Sequence, residues 1–341
     1  MRLIIGLLVA VGVVLALAGC TFDGEQSCVS EENCREGRIC WDGACTSEMR
    51  YKAVAAGTPC AVTVEGKLEC WGGRYDRDAD ADIRVDVPTE TGFVDVASGI
   101  FNACGLKEDG RAICFGVVQM GVVPSGLRLM QIALDQRPGC GVTLERELVC
   151  WDGISEELET IDGQYRSVSI HRMVWCAISE NDELRCLQDE QIEVPEVQVR
   201  EAALRGTPRM EGFPGINLCI LDMEKNIKCM DIMEDRDTVF LEADGEFESM
   251  AQSSEFACGL KADGTVDCFD YDIPEQEEED VLEQDEDWGM PGEGFEPEPD
   301  EIDSTPPEGV RFESIDGGGN GVCGITVDGR VRCWGRESFA R

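Results

Sequence analysis

Short runs in which apolar and polar residues alternate recur along most of the chain, and a period of two is the pattern of half-buried β-strands. The clearest run is Cys104 to Cys114, CGLKEDGRAIC. It is one of seven copies in which two cysteines stand ten positions apart: Cys60/Cys70, Cys104/Cys114, Cys140/Cys150, Cys176/Cys186, Cys219/Cys229, Cys258/Cys268 and Cys323/Cys333. Between them lies a turn. An acid or Asn stands five residues after the first Cys, and Gly66, Gly110, Gly264 and Gly329 follow it in four copies. An acid–Gly pair between apolar runs predicts a β-hairpin, because Gly supplies the positive φ of the turn.

A three-residue loop, Glu108-Asp109-Gly110, sets Lys107 against Arg111, Leu106 against Ala112 and Cys104 against Cys114. The two cysteines then fall at a non-hydrogen-bonded pair, where Cα atoms approach to ~4.5 Å. That is the short end of disulfide geometry. The pair two residues inward shares their face and is apolar in every copy, from Val62/Leu68 to Ile325/Val331. Each hairpin thus offers one apolar face.

Upstream of each hairpin lies another strand signal: YKAVAAG, FVDVASG, LMQIALD, YRSVSIH, VREAALR, FESMAQS and FESIDGG. In five copies it ends five residues before the first Cys; the first copy is two residues shorter and the fifth nine longer. First-Cys spacings of 44, 36, 36, 43, 39 and 65 residues place the main insertion between the sixth and seventh copies. The chain is therefore all-β and built from repeats of one supersecondary unit.

Residues 272–309 hold 17 Asp and Glu, six Pro and no Lys or Arg. Like-charge repulsion predicts a loosely held or disordered loop there. The insertion could collect calcium, but the alternating Asp/Asn and closing Glu of a calcium loop are absent. No cofactor is expected.

The 341-residue chain has a formal net charge of −41, against 43% hydrophobic residues. That balance opposes nucleic acid and anionic membrane surfaces, which both need clustered Lys and Arg. Its 19 cysteines point to an oxidising compartment. Residues 1–19, MRLIIGLLVAVGVVLALAG, read as a secretory signal. The alternatives are a plain signal peptide without lipidation or a single membrane helix. The end of this run, Leu17-Ala18-Gly19-Cys20, resembles the lipoprotein signal of bacteria. That resemblance implies lipid on Cys20, a bacterial cell-envelope location and, with Thr21 next, the outer membrane.

Residues 20–46 add a small module with Cys28, Cys34, Cys40 and Cys45. Four cysteines allow three pairings. Resemblance to small bacterial Cys-rich knots favours Cys28–Cys40 and Cys34–Cys45; zinc is the alternative reading. Hairpins then use 14 cysteines, the module four and lipid one.

Residues 47–341 contain the repeats. Their pattern, a strand ending Val-Ala-x-Gly and then Cys-Gly-Leu-x-x-Asp-Gly-x-Val-x-Cys-Trp-Gly, resembles the regulator of chromosome condensation repeat. The best copies are VAAGTPCAVTVEGKLECWG, VASGIFNACGLKEDGRAICFG and IDGGGNGVCGITVDGRVRCWG. The third to fifth copies keep only the apolar pattern and the cysteines, and the His common after the repeat Gly is missing throughout. The resemblance implies a seven-bladed β-propeller of about four antiparallel strands per blade. The founding member's nucleotide-exchange and chromatin roles do not carry over to an acidic, exported chain. The family also contains secreted bacterial propellers that bind proteins with one face, including an inhibitor of β-lactamases.

Catalytic signals are sparse. His171 is the one histidine. It occupies the place of Gly57, Gly99 and Gly318, and His tolerates positive φ, so a turn role is expected. Every Cys has a partner or lipid, which leaves no thiolate nucleophile. Trp71, Trp151 and Trp334 follow the second Cys of their copies and are expected to pack between blades. Trp41, Trp175 and Trp288 are off this register, and Trp288, in the acidic insertion, is the candidate recognition residue. The expectation is a monomeric, non-enzymatic binding module for a protein or glycan, with a basic partner favoured by the acidic insertion. The alternatives are a carboxylate-based hydrolase and a structural envelope protein.

Overall fold

The computed structural model describes residues 50–71, 87–99, 102–116, 123–135, 138–152, 158–187, 191–192, 194, 197–206, 215–232, 239–271, 302–319 and 321–336, and the backbone of 38–41 and 44–47. Contacts divide the chain into residues 1–49 and 50–341. In the first unit, Arg38–Trp41 pairs antiparallel with Ala44–Ser47, with Cys40 opposite Cys45. The readings for Cys20 and for Cys28–Cys40 and Cys34–Cys45 lie outside the described residues.

In the second unit the described residues form seven antiparallel sheets of three or four strands, I to VII, and no helix. Their inner strands are Tyr51–Ala55, Phe93–Ser98, Leu129–Leu134, Tyr165–His171, Val199–Gly206, Phe247–Gln252 and Phe312–Gly318. Each packs against the next, and the last against the first, so the sheets close around a central axis as a β-propeller. The apolar clusters draw on consecutive sheets. Cys60, Val62 and Leu68 of sheet I join Phe93 and Val96 of sheet II, and Val174, Cys176 and Ile178 of IV join Leu204, Leu218 and Ile220 of V.

Each hairpin has the register its sequence dictates. The seven disulfides, in sheet order, are Cys60–Cys70, Cys104–Cys114, Cys140–Cys150, Cys176–Cys186, Cys219–Cys229, Cys258–Cys268 and Cys323–Cys333. In each the two cysteines are direct cross-strand partners, from Cys60 opposite Cys70 in sheet I to Cys323 opposite Cys333 in sheet VII. Their Cα atoms are 4.0–4.1 Å apart. That is closer than the expected ~4.5 Å of an unbridged pair, because the bridge draws the strands together. The first cysteine of each pair is fully buried, whereas Cys70, Cys114 and Cys268 are only partly covered and Cys186, Cys229 and Cys333 are buried.

The third loop residue has φ between 66° and 85° in all seven hairpins: Gly66, Gly110, Arg146, Asp182, Lys225, Gly264 and Gly329. Positive φ aims its carbonyl at the next sheet. There it accepts the N–H of the first inner-strand residue, as in Phe93 N to Gly66 O (3.1 Å) and Tyr165 N to Arg146 O (2.8 Å). The last of these bonds, Tyr51 N to Gly329 O at 2.7 Å, joins VII to I and closes the ring.

All seven inner strands carry a β-bulge at their second residue, which the hydrophobic pattern alone does not reveal. Their first residue is buried, and the residue after the first Cys makes room for it. A Cβ on Gly105 would meet the Phe93 ring at 2.5 Å, and one on Gly324 would meet Phe312 at 2.5 Å. Where Ile220 replaces this Gly, the first residue is the smaller Val199, and both are fully buried in one cluster.

Sheets III, IV and V take their outer strand from the chain that follows the third strand. Sheet VII differs. Its outer strand, Ile302–Asp303, precedes the inner strand and pairs with Val331–Arg336. Ile302 and Asp303 of the acidic insertion thus form a short strand, where a loose loop was expected, because the edge of the third strand offers them backbone partners. Residues 272–301, with Trp288 and the expected calcium ligands, lie outside the described residues.

Candidate functional site

The sheets give the axis two unlike ends. At the hairpin end stand the loops after the second strands and the starts of the inner strands. At the other, the loop end, inner strands finish. Segments 100–101, 136–137 and 207–214 leave from there, as do 72–86, 153–157, 188–190, 233–238 and 272–301, which follow third strands.

The hairpin end is uniform and charge-paired. Ion pairs cross between sheets: Arg146–Glu180 at 3.0 Å, Arg200–Glu248 at 3.3 Å and Arg311–Asp263 at 2.8 Å. Hydrogen bonds from Lys107, Arg111 and Lys225 hold Glu90, Asp109 and Glu248 below the usual carboxylate range. Asp263 is lowered mainly by its bonds to Thr265, then by Arg311. Val64, Leu144, Met223 and Val327 are exposed on four of the hairpin tips. A cavity of about 540 Å³ also opens at this end, beside the hairpin of sheet IV, lined by residues including Gln164, Tyr165, Glu180, Glu183 and Arg185.

The loop end is irregular, with Asp135 buried and His171 and Arg205 partly covered. The closing residues of the seven inner-strand segments are Gly57, Gly99, Asp135, His171, Arg205, Ser253 and Gly318. On one side of the ring the glycines let backbones touch. A Cβ on Gly57 would lie 2.5 Å from Ser98 O, and one on Gly99 or Gly318 would overlap the carbonyl of Asp135 or Ala56. On the other side, Asp135, His171 and Arg205 form a polar arc. His171 Nδ1 is 3.7 Å from Asp135 Oδ1, and their side chains are 14% and 6% exposed. The other oxygen of Asp135 accepts the Arg172 N–H. Arg205 reaches from sheet V to the Gly317 carbonyl of sheet VII.

Inner-strand edges face the axis without a strand partner, and their N–H groups need acceptors. Side chains of the neighbouring sheet supply them. Gln131 exchanges two bonds with Val168 (2.9 and 2.7 Å), Ser169 accepts from Leu204 (2.9 Å), Glu201 from Met250 (2.8 Å) and Asp316 from Ala56 (2.8 Å). Burial raises the pKa of Asp95, Glu201 and Asp316. Burial lowers that of His171 to about 4; Asp135 opposes this, and Arg205 and Arg172 reinforce it.

The turn role expected of His171 is not what the structure shows. His171 is the last residue of its strand, and the left-handed residue is Arg172, with φ 58°. The Cβ clash that glycine avoids elsewhere is avoided here because Gly206 sits against the imidazole. Trp71, Trp151 and Trp334 are buried; Trp151 lies in the cluster between II and III and Trp334 in that between VI and VII, 5.3 Å from the Phe312 ring. Trp175, off that register, is also buried in the core between III and IV. The hub of Asp95, Glu201, Arg205 and Asp316 went unread in the sequence. Aligning the seven inner-strand segments column by column exposes it, as polar residues at the third, fifth and seventh places. Among the described residues no group of three or more His, Cys, Asp or Glu is disposed to hold a metal.

No protein-family model matches the chain. Among solved structures, it is similar to β-propeller ectodomains of plant receptor kinases. The CRINKLY WD40 ectodomain of ACR4 from Arabidopsis thaliana matches at TM-score 0.58 and 16% identity, over 84% of this chain and 95% of that one. The ectodomain of CR4 from Physcomitrella patens matches at TM-score 0.57 and 16% identity, over 84% and 73%. Prp20p of Saccharomyces cerevisiae also matches, at TM-score 0.46 and 13% identity over 64% of this chain and 70% of that one, a level that carries no argument. At these identities the likeness establishes the propeller fold alone.

Proposed function

We propose that the chain is an exported, lipid-anchored propeller of the bacterial envelope that binds a protein partner through its loop end and catalyses nothing. The observation that carries this reading is the contrast between the two ends. One geometry repeats at every hairpin, and ion pairs tie neighbouring sheets together there. Every long insertion leaves from the other end, and recognition concentrates in loops held on a rigid scaffold. Residues 272–301 carry 15 Asp and Glu and no Lys or Arg. This favours a basic partner, steered electrostatically and therefore sensitive to salt.

The test is site-specific photo-crosslinking in envelope preparations, with the reactive group at Met173 of the loop end, which is 63% exposed, or at Val64 of the hairpin end, which is 51% exposed. Crosslinks to one protein from position 173 are expected. Crosslinks from position 64 alone overturn the assignment of the face. Lipid labelling lost on Cys20→Ser tests the anchor, and retention of the unlabelled wild-type protein on membranes refutes it.

A second reading, hydrolysis, is favoured by one observation. Asp95 and Asp316 are buried carboxylates with pKa values above the usual range, and the charge of Asp95 adds to the rise at Asp316. Turnover of a glycan or ester that disappears in Asp95→Asn would replace the first reading with this one.

A further inference from the structure

We infer that the loop end of the axis is closed by an acid-released clasp: protonation of His171 drives Arg205 from the Gly317 carbonyl and unfastens sheets IV, V and VII from one another. The inference rests on the hub alone and holds whether or not the loop end binds a partner.

The geometry sets the clasp. Arg205 donates to its own strand through Leu204 O (2.9 Å) and across the axis to Gly317 O, passing sheet VI. Beside it, Ala56 N is tied to Asp316, and Leu204 N to Ser169. The guanidinium is therefore the bar that links V to VII, next to the bonds that link IV to V and VII to I.

His171 packs against Gly206, the residue next to Arg205. Its Nε2 faces the backbone of Gly206, where a Cβ would come within 2.5 Å, so a proton added there meets no carboxylate. Its Nδ1 faces Asp135 at 3.7 Å, beyond hydrogen-bond reach, and Asp135 already accepts the Arg172 N–H. The charged groups around the ring are Asp135 from sheet III, Arg172 on its own strand, and Arg205 from sheet V. Asp316 of VII in turn feels the charges of Arg205 and of Asp95 of II. One carboxylate thus faces two cations. An imidazolium here would draw Asp135 inward and repel Arg205, whose exit leaves the Gly317 carbonyl without its donor.

The neutral ring is what burial favours, with a pKa of about 4 against 6.5 for an ordinary imidazole. That corresponds to a proton affinity weakened roughly 300-fold. The sign of the linkage follows. Between pH 6.5 and about 4 the unfolded chain binds a proton that the folded chain refuses, so stability falls as pH falls through this window and levels off below it.

With a single histidine in the chain, one imidazole Cε1–H resonance reports the site without assignment. The experiment follows that resonance in the full-length oxidised protein from pH 7.5 to 3, together with amide exchange at Ala56, Arg172 and Leu204, corrected for intrinsic rates. The expected midpoint is about 4, with exchange at the three amides at least about tenfold faster below it while core hairpin amides stay protected, as for a sub-global opening. Arg205→Met should move the midpoint up and Asp135→Asn should move it down. His171→Gln should abolish the acid-induced exchange. A midpoint near 6.5, or exchange at these amides that does not follow the titration, overturns the clasp. The wild-type measurements decide this even where a variant fails to fold.

Discussion

The two ends of the axis close the same ring by opposite means. At the hairpin end seven turns of different sequence adopt one geometry, and at every junction the third loop residue's carbonyl accepts a backbone N–H of the next sheet. Arg146, Asp182 and Lys225 do what Gly does elsewhere, because the positive φ is enforced by the bond it directs. Along the axis and at the loop end the junctions differ: close glycine backbone between VII, I and II together with the Asp316–Ala56 bond, paired amide bonds between III and IV, a carboxylate between V and VI. Uniform backbone bonding tolerates sequence drift. Side-chain bonding leaves each junction separately adjustable, and the long insertions are placed at this adjustable end.

Substitutions at the two ends put this contrast at risk. Gly318→Val puts a side chain into the Ala56 carbonyl. Backbone cannot give as a flexible side chain can, and the cost should be ~3 kcal/mol or more in urea unfolding. A cost below that of Gly66→Ala would show that the loop end is not tightly packed. Next, replacing both Cys140 and Cys150 with Ala should cost about 2–3 kcal/mol, since the bridge closes a short loop. A similar value is expected for Cys258 and Cys268, because the hairpins are alike; values differing several-fold would refute the uniformity.

Gly66→Ala should cost about 1–2 kcal/mol, the price of a left-handed conformation for a residue with a Cβ, and Arg146→Gly should return a comparable amount. Asp95→Asn carries a sign rather than a size. Burial raises this carboxyl's pKa, so its charged form disfavours the folded state. The amide should raise the thermal midpoint at neutral pH, and the gain should shrink as pH falls through the carboxylate range and Asp95 itself becomes neutral. A midpoint lowered equally at every pH would show that Asp95 is held by its bond to Val96 N instead. Smallest of all, Met223→Ser on an exposed hairpin tip should change stability by no more than ~0.5 kcal/mol and leave partner binding intact. Met173→Asp at the loop end should weaken binding without altering the midpoint.

The hairpins were legible because everything that fixes them lies within eleven residues. Turn chemistry sets the loop, the loop sets the register, and the register sets Cys against Cys. This holds for Cys176–Cys186 and Cys219–Cys229, whose turns lack glycine, as it does for Cys60–Cys70 and Cys323–Cys333, whose turns have it. The same reading went astray at His171. A single column position shared with Gly57 and Gly99 suggested a common backbone conformation. The actual common feature is crowding at the axis, which glycine meets by having no side chain and His171 meets by packing on Gly206. The bulge at the second residue of every inner strand left no mark in the pattern, because an extra residue at a strand's start shifts only its outermost side chain.

From its sequence alone the chain determines seven disulfide-braced hairpins, their register, their apolar faces and a repeat too regular for anything but a ring or a stack. These depend on bonds between near neighbours, which periodicity records. Only the tertiary structure decides how the ring shuts. The bond from Arg205 to Gly317 spans 112 positions, and that from Ala56 to Asp316 spans 260. The strand at Ile302–Asp303 joins sheet VII from ahead of its own inner strand. Such partners meet only once all the sheets are in place, and no local spacing anticipates them. For the same reason the hub's charges became a clasp in the fold while remaining scattered polar residues in the chain.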